Sequence, residues 1–384
     1  MRTRSKHRNR LPIALLGLVL MAASARMPLA MTATTAYINN DIFVSDDREY
    51  AASNYAEIIS EIEKTPDMVV YRLALLGNGS ELLANPRPSR PVQLAYNGEG
   101  SIAVIYPDLG EPYRSVFSKI IEGVENQAKA RVLGIPVGPN QNVPELANEL
   151  RRQGIHVVIA LGRNGLKAVR GIGTDIGVVV GGVVTASETE TRGMSVLSLA
   201  PDPHLLFERL HSMAPSVRRI YVAYDPGQNA WLMRLAREAA KNLGLELVAQ
   251  ETPDLKSALR YYHNTIASMD PRRDALWLPQ DLISAEESVV LPQVLQEAWG
   301  RNLLVFSSSV THVRRGVLFS LYPDNVQLGR RLASAALGST TSSLPRSIAP
   351  LKEVLVAVNL RTASHLGLDV DSRQQSFDLV FPEP

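Results

Sequence analysis

From residue 101 onward, the chain alternates between short apolar runs and longer segments with helical periodicity. The apolar runs are rich in Val, Ile and Leu, and each precedes an amphipathic segment of about three to four helical turns. This alternation predicts βαβ units, in which helices cover both faces of a parallel sheet. The predicted strands are 102–106, 131–136, 157–161 and 177–180, then, after a run at 194–199, 219–224, 246–250, 275–278 and 303–306.

The helices predicted between these strands divide into the same two sets. The first set is 113–129, 143–153 and 164–171, and the second is 204–214, 229–243, 255–269 and 285–299. The restart of the pattern near residue 200 predicts two doubly wound α/β lobes. Ligands of open α/β sheets bind beyond the carboxyl ends of the strands. We therefore expect a cleft bordered by these strand ends.

The N-terminal segment has the pattern of a secretory signal. Five basic residues within the first ten precede an uncharged, mostly apolar run of 15 residues at 11–25. A membrane-spanning helix needs roughly 20 residues, and Ala23-Ser24-Ala25 offers the small side chains that signal peptidase accepts. We predict a signal peptide at 1–25 and a periplasmic protein. The alternative is an uncleaved anchor that continues to residue 36.

Charge and cysteine content exclude several classes of function. Removal of the first 25 residues takes away five basic residues and no acid, so the formal net charge changes from +2 to −3. A mildly acidic protein without clustered Lys and Arg lacks the signature of a nucleic-acid binder. The chain has no cysteine, which excludes disulfides, thiolate metal sites and a lipidated cysteine. Its 384 residues suffice for about two domains.

Residues 26–98 are predicted to form an N-terminal extension and a linker. A helical pattern runs from about residue 47 to 64. The proline-rich stretch at 85–91 then interrupts regular structure, because each proline fixes its own φ and restricts the residue before it. One hypothesis gives residues 37–98 a partner in the cell envelope.

The most specific motifs lie in the last quarter of the chain. Arg314-Arg315-Gly316-Val317-Leu318 is followed by Gln327-Leu328-Gly329-Arg330 and by Asn359-Leu360-Arg361-Thr362-Ala363-Ser364-His365-Leu366-Gly367-Leu368. Earlier, Tyr224-Asp225-Pro226-Gly227 and Pro279-Gln280-Asp281 follow predicted strands. From about residue 101 to 368, the chain resembles the tryptophan/tyrosine-type substrate-binding proteins of bacterial ABC transporters.

This resemblance implies a periplasmic binding protein type I-like fold, with two doubly wound parallel-sheet lobes and a cleft between them. It assigns 99–199 to lobe 1, with 314–340 returning to it, and 200–313 to lobe 2, with 341–370 returning to it. Residues 371–384 form a C-terminal tail. The implied passages between the lobes lie near 199, 310–315 and 339–344. The resemblance also implies a small-molecule ligand, an inner-membrane ABC permease as partner, no cofactor and no enzymatic activity.

Four candidate ligand-binding residues follow strands of lobe 1. Arg163 can hold a carboxylate or phosphate with two parallel hydrogen bonds, and Asn164 is predicted to start a helix whose free N–H groups favour an anion. Asp108 follows the first strand, and Gly182 allows a tight turn or a close backbone approach. In place of Gly162–Gly165 the family usually has small residues, so ligand identity does not transfer. The structural alternatives are a solvated arginine, a capping asparagine and a turn aspartate.

The candidates of lobe 2 are polar residues at strand ends. Asp225 and Asp281 are predicted to border the cleft and could receive an ammonium group, although Asp225 also fits a plain turn. The remaining candidates supply adaptable hydrogen bonds: Asn229, Gln280, Ser307 and Ser308.

Motifs for catalysis, metals and nucleotides are missing. The chain has no Gly-x-Ser-x-Gly elbow, no phosphate-binding Gly-x-x-x-x-Gly-Lys-Ser/Thr and no His-Glu-x-x-His. We therefore predict a solute-binding component of an ABC transporter for a small, carboxylate-bearing, amino-acid-like ligand, captured by lobe closure. The first alternative is an envelope sensor or scaffold with a degenerate cleft. The second is an exported hydrolase, whose nucleophile and base the sequence does not identify.

Overall fold

The computed structural model describes residues 102–110, 113–184, 186–338, 347–370 and 376–382. The predicted signal peptide, extension and linker lie outside the described residues. Within the described ranges, no helix combines the length and the apolar character needed to cross a membrane.

Lobe 1 is a parallel sheet flanked by helices. Its strands are β1 (Ile102–Pro107), β2 (Leu133–Val137), β3 (Val157–Leu161), β4 (Gly177–Val183), β5 (Ser195–Pro201) and β11 (Ile348–Leu351). They lie in the order β11-β5-β4-β3-β1-β2, and every neighbouring pair is parallel. The helices are α1 (Tyr113–Ala128), α2 (Val143–Arg152), α3 (Gly162–Val169) and α9 (Asn325–Ala336).

Lobe 2 repeats this plan with a longer sheet. Its strands are β6 (Arg219–Tyr224), β7 (Glu246–Glu251), β8 (Asp274–Leu278), β9 (Leu304–Ser307), β10 (Phe319–Pro323), β12 (Val354–Asn359) and β13 (Leu379–Phe381). The helices are α4 (Pro203–Met213), α5 (Pro226–Asn242), α6 (Leu255–Ser268), α7 (Val290–Gly300), α8 (Val310–Arg314) and α10 (Leu360–His365). The order is β13-β12-β10-β9-β8-β6-β7, with only the β10–β12 pair antiparallel. The predicted two-lobed α/β architecture is confirmed.

The central strands of the lobe 2 sheet have apolar sequences and lie in the core of the lobe. All residues of β8 and β9 are buried, as expected for strands covered on both faces. Trp277, Phe306 and Phe319 come from three neighbouring strands, and Phe306 stacks on Phe319 with 5.4 Å between ring centroids. Phe207 of α4 packs edge-on against Trp277 at 5.4 Å. Each such buried aromatic ring contributes about 2–3 kcal/mol through apolar burial.

The described passages between the lobes differ from two of the predicted ones. The chain enters lobe 2 after Pro201, close to the predicted position. It returns to lobe 1 only after Pro323, and not at 310–315, because β10 is a buried strand of the lobe 2 sheet. The last passage lies between Leu351 and Val354, since β11 still pairs with β5 in lobe 1. The return segments therefore begin later than the predicted 314 and 341, and 339–344 lies outside the described residues.

Helices α1 and α9 of lobe 1 cross at two glycines. A Cβ atom added at Gly329 would lie 2.0 Å from the carbonyl oxygen of Ile120, and one added at Gly123 would lie 2.0 Å from that of Val326. Only glycine permits this approach of two backbones. This contact holds α9, which follows the second passage between the lobes, against α1 of lobe 1.

Several predicted element boundaries were wrong. Helix α3 begins at Gly162, directly after β3, so Asn164 is its third residue and does not start it. Strand β4 runs past the predicted end at 180 to Val183, and the Gly181-Gly182 pair forms a register shift within it. Helix α7 begins at Val290, not at 285, because the carboxylate of Glu286 accepts backbone N–H groups from Ser288 and Val289 and holds this stretch as turns.

Candidate functional site

The parallel strands bring the predicted site residues to one edge of each sheet. Asp108, Arg163, Asn164 and Gly182 lie at or just beyond the carboxyl ends of β1, β3 and β4. Asp225, Asn229, Gln280, Asp281, Ser307 and Ser308 lie at the corresponding ends of β6, β8 and β9. We call these groups the lobe 1 edge and the lobe 2 edge. Glu188, in the β4–β5 turn, forms an ion pair with Arg234 of α5 and thus links the two lobes.

Asp281 is the centre of the lobe 2 edge. Its Oδ2 accepts the backbone N–H of Asp225 at 2.7 Å and the side-chain amide of Asn229 at 2.8 Å. Its Oδ1 accepts the backbone N–H groups of Ile283 at 2.9 Å and Ser284 at 2.8 Å. With four donors and 4% exposure, this carboxylate joins the end of β6 to the end of β8. The geometry supports a positioning role and does not support contact with a ligand ammonium group.

Gln280 is held by the same network but keeps one polar atom unsatisfied. Its side-chain Nε2 donates to the backbone carbonyl of Ser308 at 2.8 Å, and its backbone carbonyl accepts from the side-chain amide of Asn229 at 3.2 Å. The side chain is 5% exposed, and its Oε1 has no hydrogen-bond partner among the described residues. The amide is therefore fixed, with a buried acceptor at the lobe 2 edge.

Asp225 is the N-cap of α5, so Pro226 and Gly227 begin the helix and do not form a plain turn. Its side chain accepts the N–H of Gly227 at 2.9 Å. Burial raises the pKa of the Asp225 carboxyl, the bond from Gly227 opposes this, and the nearby Asp281 charge raises it further. The residue is half-buried, so it can line the edge while it caps the helix.

Ser307 and Ser308 are buried inside lobe 2. The Oγ of Ser308 accepts from the indole of Trp277 at 3.0 Å. The Oγ of Ser307 lies 3.0 Å from the carbonyl of Leu278 and 2.8 Å from Nδ1 of His312. Both serines are 0% exposed, and their hydroxyls already have hydrogen-bond partners within lobe 2, so they support the strand ends.

His312, which was not predicted from the sequence, completes this network. Its Nε2 lies 3.8 Å from Glu287. Burial lowers the pKa of His312 to about 4, although the Glu287 carboxylate opposes the shift. The contacts from Ser307 to His312 and from His312 to Glu287 resemble the catalytic triad of a hydrolase. The full burial of Ser307 withholds its Oγ from any substrate carbonyl, so this geometry gives the hydrolase alternative no support.

The lobe 1 edge contains a charged cluster around Arg163. Its Nη1 lies 3.0 Å from Oε1 and 3.2 Å from Oε2 of Glu190. Arg170 lies 3.4 Å from Oε1 of the same carboxylate and donates to the carbonyl of Glu190 at 2.7 Å. Glu190 belongs to the β4–β5 turn, and no sequence signal connected it with a residue 27 positions earlier.

The other lobe 1 candidates contribute mainly through the backbone. Gly182 has φ +69°, and a Cβ atom there would lie 3.5 Å from the N of Gly162, so the ends of β3 and β4 come close. Asn164 is half-buried in the first turn of α3, and Asp108 is exposed, with its N–H bonded to Val137 at 3.0 Å. In the part of the chain that the structure describes, no group of three or more His, Asp or Glu side chains could hold a metal ion.

Solved structures similar to the chain include three bacterial proteins. The ligand-free, open structure of a substrate binding protein with adhesive properties from Clostridium difficile is 16% identical, with a TM-score of 0.52, and covers 71% of this chain and 96% of that chain. An ABC domain in complex with L-Trp from Streptococcus pneumonia is 15% identical, with a TM-score of 0.47 and coverages of 73% and 98%. A conserved domain protein from Vibrio cholerae is 17% identical, with a TM-score of 0.46 and the same coverages.

The Clostridium difficile protein shares the fold, and at this identity the likeness extends no further. No curated protein matches the chain. A family model described as "ABC transporter substrate binding protein" matches residues 123–373, which is more than half of the 384 residues. The match covers the polar residues of both edges except Asp108. The chain therefore belongs to the ABC transporter substrate-binding protein family.

Proposed function

We propose that the chain is the periplasmic solute-binding component of an ABC transporter and captures a small, carboxylate-bearing, amino-acid-like ligand by closing its lobes. Family membership supports solute binding, and the signal-peptide pattern at 1–25 supports a periplasmic location. Hinge closure around a ligand is a recurrent motion of two-lobed binding proteins. The closed protein then delivers its ligand to an inner-membrane ABC permease. No catalytic step is part of the proposal.

The observation that carries the proposal is the fixed, buried amide of Gln280. A buried acceptor left without a donor costs about 1–3 kcal/mol. The Oε1 of Gln280 lacks a partner among the described residues while its Nε2 is anchored to Ser308. An ammonium or N–H group of a ligand would supply the missing hydrogen bond.

The lobe 1 edge supplies the complementary charge. Arg163 is half-buried at the end of β3, where a guanidinium can bind a carboxylate through charge-assisted hydrogen bonds. An acceptor on one lobe and a cation on the other suit a ligand with an ammonium group at one end and a carboxylate at the other. This combination is the reason for proposing an amino-acid-like ligand.

The test is a thermal-shift screen of residues 26–384 against the standard L-amino acids, small carboxylates and phosphates, followed by calorimetry. A ligand at 100 times its Kd stabilises the protein by about 2.7 kcal/mol. We expect an amino acid to bind, and Gln280→Met to weaken it about tenfold or more. The matched control is Gln127→Met, on an exposed position of α1. Equal affinity in the Gln280 and Gln127 variants would remove the main support for the proposal.

One observation favours a second candidate function, the envelope sensor or scaffold. Arg163 is already paired with Glu190 inside the chain, as expected if the cleft no longer serves a ligand. In that case residues 37–98 would contact the envelope partner. The absence of a thermal shift with every compound of the library would favour this candidate.

A further inference from the structure

The ion pair at the lobe 1 edge reproduces the contact that a ligand carboxylate would make. Both oxygens of Glu190 lie within 3.2 Å of Nη1 of Arg163. The two side chains are 13% and 19% exposed, so water screens them less than a surface pair. Arg170 adds a second cation at 3.4 Å from the same carboxylate.

The β4–β5 turn holds Glu190 in this position. The N–H of Glu190 donates to the Oγ of Ser187 at 3.1 Å, and Thr191 donates to the carbonyl of Ser187 through both its N–H at 3.2 Å and its Oγ1 at 3.1 Å. Arg170 binds the carbonyl of Glu190 at 2.7 Å. The carboxylate is thus presented by a braced turn, which lowers the entropy cost of pairing with Arg163.

We propose that Glu190 is a specificity-determining residue, an internal carboxylate that occupies Arg163 and that the carboxylate of a ligand must displace. This inference rests on the proposed function in one respect, the assignment of Arg163 to the ligand. The tethered carboxylate has a high effective concentration at the guanidinium. A simple anion has only the Arg163 contact with which to compete. A zwitterionic ligand also gains the contact with Gln280, so Glu190 favours amino acids over simple acids.

The test uses acetate as the probe, against chloride at equal ionic strength, and follows the thermal stability of the full mature chain. We expect Glu190→Gln to lower the apparent Kd for acetate about tenfold relative to the unmodified protein. The double variant Glu190→Gln/Arg163→Gln should lose this gain. Glu188→Gln removes a charge from the same turn without touching Arg163, and it should leave the acetate response unchanged.

Equal acetate binding by Glu190→Gln and the unmodified protein would overturn the inference, as would a gain that survives in the double variant. If Glu190→Gln does not fold, Glu190→Asp decides, since it keeps the charge but shortens the reach by one methylene. Glu190→Asp should raise the affinity for acetate by a smaller factor than Glu190→Gln. If Glu190→Asp does not raise that affinity, the inference is overturned. If Glu190→Gln binds acetate more tightly but no amino acid binds in the thermal-shift screen, the proposed function is contradicted and the role of Glu190 is not.

Discussion

The two strand edges of the candidate site use different chemistry. At the lobe 2 edge, Asp281 is almost completely buried and accepts four hydrogen bonds from elements on both sides of it. At the lobe 1 edge, Arg163 and Glu190 form a partly exposed ion pair between a helix and a turn. A buried network leaves few alternative arrangements, whereas a partly exposed pair can exchange partners. The comparison indicates a preorganised lobe 2 edge and an adaptable lobe 1 edge.

The largest expected effect tests the rigidity of the lobe 2 edge. Asp281→Ala leaves the N–H groups of Asp225, Ile283 and Ser284 without their acceptor. We expect it to reduce the free energy of unfolding by about 4 kcal/mol. Glu190→Gln should cost about 1 kcal/mol, because its partners retain access to water. Urea unfolding of both variants measures the difference, and similar losses would contradict the contrast between the edges.

A pH effect should arise from His312, next to the same edge. Burial lowers the pKa of His312 to about 4. As pH falls below about 6.5, the His312 imidazole is protonated in the unfolded chain. In the folded chain it stays neutral down to about pH 4. The folded state therefore loses about 3 kcal/mol of stability across this window and none above it. His312→Gln should remove this slope in urea unfolding measured from pH 7 to 4.

The control for this prediction is His263→Gln, because the side chain of His263 is 71% exposed. It should retain the pH dependence of the unmodified protein. Glu287 and Arg315 face His312 with opposite effects on its pKa. A His312→Gln variant with an unchanged slope would assign the pH dependence to other groups.

The next effect concerns the scaffold behind the lobe 1 edge. In Gly329→Ala the new Cβ would meet the backbone oxygen of Ile120, so α1 and α9 must separate. We expect a loss of about 2 kcal/mol in the free energy of unfolding. Gly300→Ala is the matched control, because a Cβ there meets nothing within 4 Å. It should be neutral or slightly stabilising through helix propensity. A neutral Gly329→Ala would show that the helices can move apart freely.

The sequence predicted the sheets better than the site, for a physical reason. Apolar runs such as Val157–Leu161 match the observed β3 because burial on both faces demands continuous apolar sequence. Strands β10, β12 and β13 extend one side of the lobe 2 sheet, and β11 forms an edge of the lobe 1 sheet. None of the four was predicted as a strand, since they follow the end of the regular alternation. The passages at Pro323 and Leu351 were misplaced for the same reason.

Site residues were predictable only where their position follows from the end of a strand. Gln280 and Asp281 lie at the lobe 2 edge as predicted, because they follow closely after β8. The pairing of Arg163 with Glu190 and the contact of Ser307 with His312 depend on how turns fold back onto the strands. Periodicity carries no information about such contacts. The sequence also could not separate the structural role of Asp281 from a ligand role, since both place an aspartate at the same point.

The smallest expected effect compares two glutamates of the β4–β5 turn. Glu188 pairs with Arg234 across the lobes, and both side chains are 58% exposed. Double-mutant cycles with Gln substitutions should give a coupling below about 0.5 kcal/mol for Glu188–Arg234, and about 1 kcal/mol for the less exposed Arg163–Glu190 pair. The first coupling should vanish in 0.5 M salt, while the second should persist in part. If the Glu188–Arg234 coupling is the larger of the two, the turn is held mainly by lobe 2, and an incoming carboxylate would have to separate the lobes before it could displace Glu190.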